Sequence, residues 1–160
     1  MVGVAAMAIG RAADRALVTY ALGSCVGVSA FDPVARVGGM LHFLLPGPAG
    51  GTADAPADPF TFASTAIPAL LAALGAAGAE RHRLVVCAAG GAQMLAGPDG
   101  SRLGLRNGAM LREILAAHAV PLAAEDLGGT AARSMILDLP TGAVTIRTGP
   151  GERLLWPAAP

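Results

Sequence analysis

Cys25 and His42 are the two residues of this sequence whose types and surroundings suit a thiol nucleophile and its base. Cys25 follows Leu22, Gly23 and Ser24, and the two small residues permit a tight turn between two apolar runs. Backbone N–H groups of such a turn can point at one spot, and a thiol needs a lowered pKa and nearby donors to act as a nucleophile near neutral pH. The spacing alone is also compatible with a buried cysteine that packs as a small hydrophobe.

His42 lies in an apolar stretch with the composition of a buried strand, where a histidine can equally be an ordinary core residue. The turn residues Asp32 and Pro33 separate this stretch from the run that follows Cys25. Two strands joined by that turn can lie side by side, which would bring a base within hydrogen-bond reach of the thiol. The second ring nitrogen then needs an acceptor, and the hydroxyl of Thr19 is the candidate.

The elements that must position these residues are mostly strands. Short apolar runs bounded by turn residues predict strands at residues 2–9, 17–21, 26–31, 37–45, 84–88, 122–125, 134–139 and 143–148. Helices are predicted at residues 62–77 and 107–118, the second with Asn107 as its N-cap. Residues 140–142 predict a hairpin turn, and residues 46–59 a loop. The pattern favours an α+β fold, an α/β sandwich of mixed, mostly antiparallel sheets with two main helices packed against them.

Composition excludes several classes of protein. The 160 residues fit a single domain over residues 1–160, and 11 basic residues balance 11 acidic ones, so no basic stripe for nucleic acid is expected. The longest apolar stretch is interrupted by proline and glycine and falls short of the roughly 20 residues of a membrane span, so no membrane insertion is expected. Two cysteines make no disulfide framework, which favours a cytoplasmic location, and no metal-ligand spacing is present.

Five motifs, taken together, make the interpretation specific. They occur in one order over nearly the whole chain: residues 19–25 (Thr-Tyr-Ala-Leu-Gly-Ser-Cys), 38–46 (Gly-Gly-Met-Leu-His-Phe-Leu-Leu-Pro), 89–94 (Ala-Gly-Gly-Ala-Gln-Met), 103–107 (Leu-Gly-Leu-Arg-Asn) and 125–134 (Glu-Asp-Leu-Gly-Gly-Thr-Ala-Ala-Arg-Ser). In this order they resemble CheD, the family of chemoreceptor glutamine deamidases. The resemblance implies a triad of Cys25 as nucleophile, His42 as general base and Thr19 as third member, with Gly23 and Ser24 in the loop that serves the oxyanion.

The resemblance also implies a function. It predicts a hydrolase of chemotactic signal transduction that converts glutamine side chains on the cytoplasmic domains of chemotaxis receptors to glutamate, with release of ammonia, through a thioester and without a cofactor. It further implies docking to the CheC phosphatase. Two alternatives stay open from the sequence: a catalytically weak regulator that binds CheC, and a related cysteine hydrolase such as a receptor methylesterase or a transglutaminase-like enzyme.

One stretch departs from the family pattern. The family usually has a Tyr-Ala-Asp-like sequence at the start of its first long helix, whereas residues 62–65 here are Phe-Ala-Ser-Thr. The acidic residue and the phenol hydroxyl are both missing, so we expect an effect on partner affinity or substrate choice rather than on the chemistry. Of the remaining candidates, Cys87 is expected in the core, His82 on the surface and His118 at a helix end.

Overall fold

The computed structural model describes residues 1–48, 58–94 and 102–157. Within these ranges the chain forms nine strands and two helices. The strands are β1 (Ala6–Arg11), β2 (Ala16–Leu22), β3 (Val26–Asp32), β4 (Val37–Phe43), β5 (Val85–Gly90), β6 (Leu122–Leu127), β7 (Arg133–Asp138), β8 (Val144–Thr148) and β9 (Gly151–Trp156). The helices are α1 (Ala63–Ala76) and α2 (Leu103–Ala117), and neither has the length and apolar character needed to cross a membrane.

The strands are divided between two sheets. The first has five strands in the order β1-β4-β3-β5-β6, and the second has four in the order β2-β7-β8-β9. Only β5 and β6, which are connected through α2, pair in parallel among the described strand pairs; the other neighbours are antiparallel. The predicted α+β class with mixed, mostly antiparallel sheets and two packed helices is therefore confirmed.

The five-stranded sheet is the middle layer, with the helices on one face and the four-stranded sheet on the other. Every residue of β3 and β4 is buried. Because strand side chains alternate, Val26 and Val28 pack with the helices, whereas Phe31 packs with the second sheet. Burial on both faces explains why these two strands read in the sequence as continuous apolar runs.

The second helix begins earlier than predicted. Its first residue is Leu103, and Asn107 lies inside it rather than at the N-cap. The N-cap position is Arg102, which makes no side-chain cap hydrogen bond. The prediction was wrong because the Asn107 amide bonds carbonyl groups of other elements, Ser24 and Leu44, instead of the N–H groups of its own helix.

Two further differences concern the first and the last strand. The first strand begins at Ala6 rather than residue 2, and Val2 makes only an isolated bridge to Thr19. Strand β9 was not predicted, since its first four residues are exposed and carry no alternating pattern. The hairpin at residues 140–142 is present, closed by a 2.7 Å hydrogen bond from the Gly142 N–H to the Asp138 carbonyl. Of the predicted loop at residues 46–59, residues 49–57 lie outside the described part of the chain.

Candidate active site

Cys25 lies directly before the first residue of β3. It is on a bend that connects β2 of the four-stranded sheet to β3 of the five-stranded sheet. Its carbonyl accepts a 2.8 Å hydrogen bond from the Gly91 N–H, which extends the ladder between β3 and β5 by one residue. Alternation along β3 then puts residue 25 on the same face as Gly27, the face directed at the second sheet. The thiol is free and its side chain is half-buried.

His42 and Thr19 join the two sheets. His42 is on β4, directly opposite Gly27 of β3, and Thr19 is on β2 of the other sheet. Both side chains are buried, and Thr19 Oγ1 lies 2.9 Å from His42 Nδ1. Gly27 leaves the space for this contact, because a Cβ there would lie 2.8 Å from the Leu22 side chain and 3.2 Å from Thr19 Cγ2. The structure thus brings Thr19 and His42 into contact and places Cys25 diagonally across from His42 on the neighbouring strand.

The other ring nitrogen of His42 has no such contact. Nε2 is buried and has no hydrogen-bond partner among the described residues, and the Cys25 thiol does not bond it. In the tautomer whose Nδ1–H donates to Thr19 Oγ1, Nε2 carries a free lone pair. A buried polar atom without a partner is costly and is typical of functional sites. The arrangement suits a general base, because Nε2 can accept a proton.

Burial shifts the pKa values of Cys25 and His42 in the directions that favour their neutral forms. It raises the pKa of the Cys25 thiol above its ordinary value, although the residue's own backbone N–H and the Ser24 hydroxyl both oppose this rise. It lowers the pKa of His42. The raised pKa of Cys25 is the opposite of the lowered value expected for a nucleophilic thiol, and both shifts favour the neutral forms of the two groups.

The turn at residues 23–25 is held by all three of its carbonyl groups. The Gly23 carbonyl accepts from the Ala92 N–H, the Ser24 carbonyl from Asn107 Nδ2, and the Cys25 carbonyl from the Gly91 N–H, each at 2.8 Å. The donors come from the end of β5 and from α2. The turn that carries the thiol is therefore fixed by two elements far from it in sequence.

The backbone N–H groups of the same turn differ from one another. The Gly23 N–H donates a 2.9 Å hydrogen bond to the Ala21 carbonyl, so it is not free to hold an oxyanion. The N–H groups of Ser24 and Cys25 have no acceptor in the described ranges other than the Cys25 sulfur. Of the predicted oxyanion loop, Ser24 thus retains a free donor, whereas Gly23 contributes to the shape of the turn.

Sequence reasoning missed the residues that hold this turn. Gly91, Ala92 and Asn107 lie within motifs that the sequence contains, yet nothing in their residue types indicates which distant carbonyl they contact. The remaining candidates lie elsewhere: Cys87 is in the core, where burial raises its pKa to about 12, and His118 ends α2. Within the described ranges, no group of three or more His, Cys, Asp and Glu side chains converges as metal ligands would.

Comparison with known proteins shows a consistent relationship. The family described as CheD chemotactic sensory transduction matches residues 44–148. A protein of Solibacter usitatus named as a probable chemoreceptor glutamine deamidase CheD is 40% identical over 160 residues, which is 100% of this chain and 95% of the relative. Proteins with the same name from Symbiobacterium thermophilum and Moorella thermoacetica are both 44% identical, over 96% and 92% of this chain and 95% and 89% of their own lengths.

The chain belongs to the CheD family. The family match begins after His42, but the similarity to the Solibacter protein extends over all of this chain, including Thr19, Cys25 and His42.

The stretch that departs from the CheD pattern, together with the residue before it, contacts the segment that follows β4, the strand of His42. Thr61 accepts backbone hydrogen bonds from the N–H groups of Leu44 and Leu45, at 3.0 and 3.1 Å, and the Ala63 N–H donates to the Leu45 carbonyl at 2.8 Å. Phe62 is the N-cap residue of α1. The departing stretch of this CheD chain therefore lies at the start of the first helix and bonds the backbone of Leu45, three positions beyond His42.

Proposed function

We propose that this chain is a protein-glutamine deamidase of chemotactic signal transduction, with Cys25 as nucleophile, His42 as general base and Thr19 as the residue that orients the base. The observation that carries the proposal is the 2.9 Å contact of Thr19 with Nδ1 of His42, which leaves Nε2 unpartnered beside the turn of Cys25. The names of the CheD relatives support the reaction and the substrate.

In the first half of the reaction, His42 Nε2 takes the thiol proton of Cys25 as the sulfur forms a bond to the carboxamide carbon of a glutamine side chain. The carbonyl oxygen becomes an oxyanion, and the donors we propose for it are the N–H groups of Ser24 and Cys25, which have no backbone acceptor in the described ranges. The imidazolium then passes the proton to the departing nitrogen, ammonia leaves, and a thioester remains.

In the second half, His42 takes a proton from water, and the resulting hydroxide attacks the thioester carbon. The C–S bond breaks, the sulfur is reprotonated by the imidazolium, and a glutamate side chain is released. Burial lowers the pKa of His42 from its ordinary value of 6.5. The lower pKa favours the neutral imidazole, which is the form that can accept a proton. No cofactor is needed for either half.

The substrate we propose is a glutamine on the cytoplasmic helical domain of a chemotaxis receptor, in agreement with the names of the relatives. Each deamidation adds one negative charge to the receptor, and like charges on neighbouring helix positions are destabilising, so the reaction can shift a signalling equilibrium. Docking to the CheC phosphatase is part of the same proposal, and it rests on the resemblance of the five motifs.

The test is mass spectrometry of receptor cytoplasmic domains incubated with the wild-type protein and with Cys25→Ala, together with a measurement of free ammonia. We expect the wild type to convert specific glutamines to glutamate and to release an equal amount of ammonia, and Cys25→Ala to do neither while it remains folded. Cys87→Ala is the matched control, because that thiol lies in the core outside the site and its loss should leave turnover intact.

Other products would identify the alternatives. Methanol release from methylated receptors would indicate a methylesterase, and incorporation of an added amine would indicate a transglutaminase-like enzyme, since both reactions pass through the same thioester. Undiminished ammonia release by Cys25→Ala would refute the assignment of the nucleophile. A wild-type protein that binds CheC but leaves every receptor glutamine unchanged would favour the regulator.

A further inference from the structure

Asn107 is a fully buried polar residue in α2 that lies between the two halves of the candidate site. Its Nδ2 group donates to the Ser24 carbonyl at 2.8 Å and to the Leu44 carbonyl at 2.8 Å. Ser24 precedes the candidate nucleophile, and Leu44 follows the candidate base by two residues. One amide group therefore ties the turn of Cys25 to the end of β4.

The orientation of this amide is fixed by its two partners. Both are carbonyl oxygens, which only accept, so Nδ2 must face them and Oδ1 must face away. Oδ1 is buried and has no hydrogen-bond partner among the described residues. A buried acceptor left unpaired lowers stability, and its retention is typical of residues kept for function. Any role of Asn107 therefore depends on the two hydrogen bonds that its Nδ2 group donates.

The bond to Ser24 controls where the next N–H group points. A trans peptide is planar, and its N–H is directed opposite to its carbonyl. The peptide between Ser24 and Cys25 is trans, so a Ser24 carbonyl held toward α2 directs the Cys25 N–H away from α2. That N–H has no backbone acceptor in the described ranges, and it faces the sulfur of its own residue. It therefore points to the region where a carbon attacked by the sulfur would carry its oxygen.

We propose that Asn107 is a positioning residue for the oxyanion donor: by holding the Ser24 carbonyl, it keeps the Ser24–Cys25 peptide from rotating and presents the Cys25 N–H to the oxygen of the tetrahedral intermediate. This inference rests on the proposed deamidase function. It assigns to Asn107 an effect on the transition state that is separate from any effect on the thiol itself.

Two reactions of the same thiol separate these effects. Deamidation passes through an oxyanion, whereas alkylation of Cys25 by iodoacetamide is a displacement at a CH2 carbon and forms none. We expect Asn107→Ala to lower kcat for ammonia release by roughly 10²-fold, the usual effect of losing one oxyanion donor, with KM little changed. The rate of alkylation, measured over a range of pH values, should stay within about threefold of the wild type, because the sulfur and its base are retained.

Leu111→Ala is the control for a general loosening of α2. Leu111 is buried on the same helix one turn after Asn107, but it packs in the core between the helices and the five-stranded sheet. Leu111→Ala should lower the melting temperature and leave kcat of the folded enzyme within about twofold of the wild type, as expected for a core truncation that spares the site.

The outcomes that overturn the inference are distinct from those that overturn the proposed function. An unchanged kcat in Asn107→Ala, a loss of kcat that the alkylation rate shares in full, or an equal loss in Leu111→Ala would each overturn the role of Asn107 alone. A wild-type enzyme that releases no ammonia from receptor domains would overturn the proposed function, and this inference with it.

Discussion

Thr19 connects the four-stranded sheet to the imidazole of His42. A threonine in a strand is an ordinary residue, and only its 2.9 Å contact with Nδ1 distinguishes it from the other buried residues of β2. The two ring nitrogens of His42 thus differ: Nδ1 contacts Thr19, whereas Nε2 has no hydrogen-bond partner in the part of the chain that the structure describes. A base needs this difference, because the bonded nitrogen fixes the tautomer and the free one accepts the proton.

Replacing Thr19 by valine tests this role at the scale of one hydroxyl group. Thr19→Val keeps the shape of the side chain but leaves the Nδ1–H of His42 buried without an acceptor, which costs about 1–3 kcal/mol. We expect kcat to fall by about tenfold or more, since each 1.4 kcal/mol corresponds to a factor of ten in rate. Steady-state ammonia release measures it.

Thr19→Ser is the matched variant, because it retains the hydroxyl and should keep most of the activity. A valine variant with the wild-type kcat, or a serine variant as slow as valine, would show that the hydroxyl does not orient the base.

Two elements, the end of β5 and the helix α2, form the frame around the turn of residues 23–25. Their close approach depends on glycines: a Cβ on Gly90 would overlap the Cys25 carbonyl oxygen, and a Cβ on Gly104 would overlap the carbonyl of Gly91. Gly90 also has φ +110°, a conformation that L side chains rarely adopt. The close packing of this frame therefore requires glycine at residues 90 and 104.

Gly90→Ala tests whether the frame positions the turn of residues 23–25, as distinct from an effect of backbone strain alone. We expect kcat/KM to fall by about 10²-fold, since the new methyl group displaces the carbonyl of Cys25 and a misplacement of about 1 Å can cost that much. Turnover measured at a temperature where the variant stays folded tests this.

Gly78→Ala is the matched control. Gly78 has φ +98° but nothing within 4 Å of the added Cβ, so the variant should lose roughly 1–3 kcal/mol of stability and keep its kcat/KM. Equal activity in the two alanine variants would contradict the role of the frame.

At the scale of the whole molecule, a buried ion pair and the proposed catalytic residues lie at opposite ends of the β3–β4 hairpin. Asp32, at the turn, is fully buried and accepts from the N–H groups of Val34, Ala35 and Glu80. It also makes a bidentate ion pair with Arg83, with Nη2 to Oδ2 at 2.9 Å. This carboxylate fastens the hairpin to the segment that follows α1, whereas residues 25 and 42 lie at the other end.

Asp32→Asn should therefore destabilise the fold without changing the chemistry. The asparagine NH2 would face donors, so we expect a loss of about 3 kcal/mol in the free energy of unfolding at pH 7 and an unchanged kcat in the folded enzyme. The four hydrogen-bond donors around Asp32 hold its pKa well below the ordinary value of 3.8. A depressed pKa stabilises the fold above that ordinary value and ceases to do so as pH falls toward the folded-state pKa.

The difference in stability between wild type and Asp32→Asn should accordingly narrow as pH is lowered through 3.8. Urea unfolding at a series of pH values measures it. A difference that stays constant down to pH 3, or a kcat lowered along with the stability, would contradict this account.

Features that depend on local interactions could be predicted from the sequence, whereas those that depend on contacts between distant residues could not. The strands β3 and β4 and their hairpin were predictable because apolar runs and the Asp32-Pro33 turn act locally. The edge strand β9 was not, since it buries too little to impose a pattern. Asn107 was interpreted as a cap because local rules assign asparagine to helix ends, and only the fold shows that its amide is used 83 positions earlier in the chain.

The long reach of that amide has a consequence for protein synthesis. The thiol and the imidazole are synthesised within the first 42 residues, but the groups that immobilise the turn follow at residues 91, 92 and 107. At about 5–20 residues per second, a growing chain carries its sulfur for several seconds before these groups have been made. A growing chain that has not yet reached residue 107 therefore contains Cys25 and His42 but lacks donors that hold the turn of residues 23–25 in the folded protein.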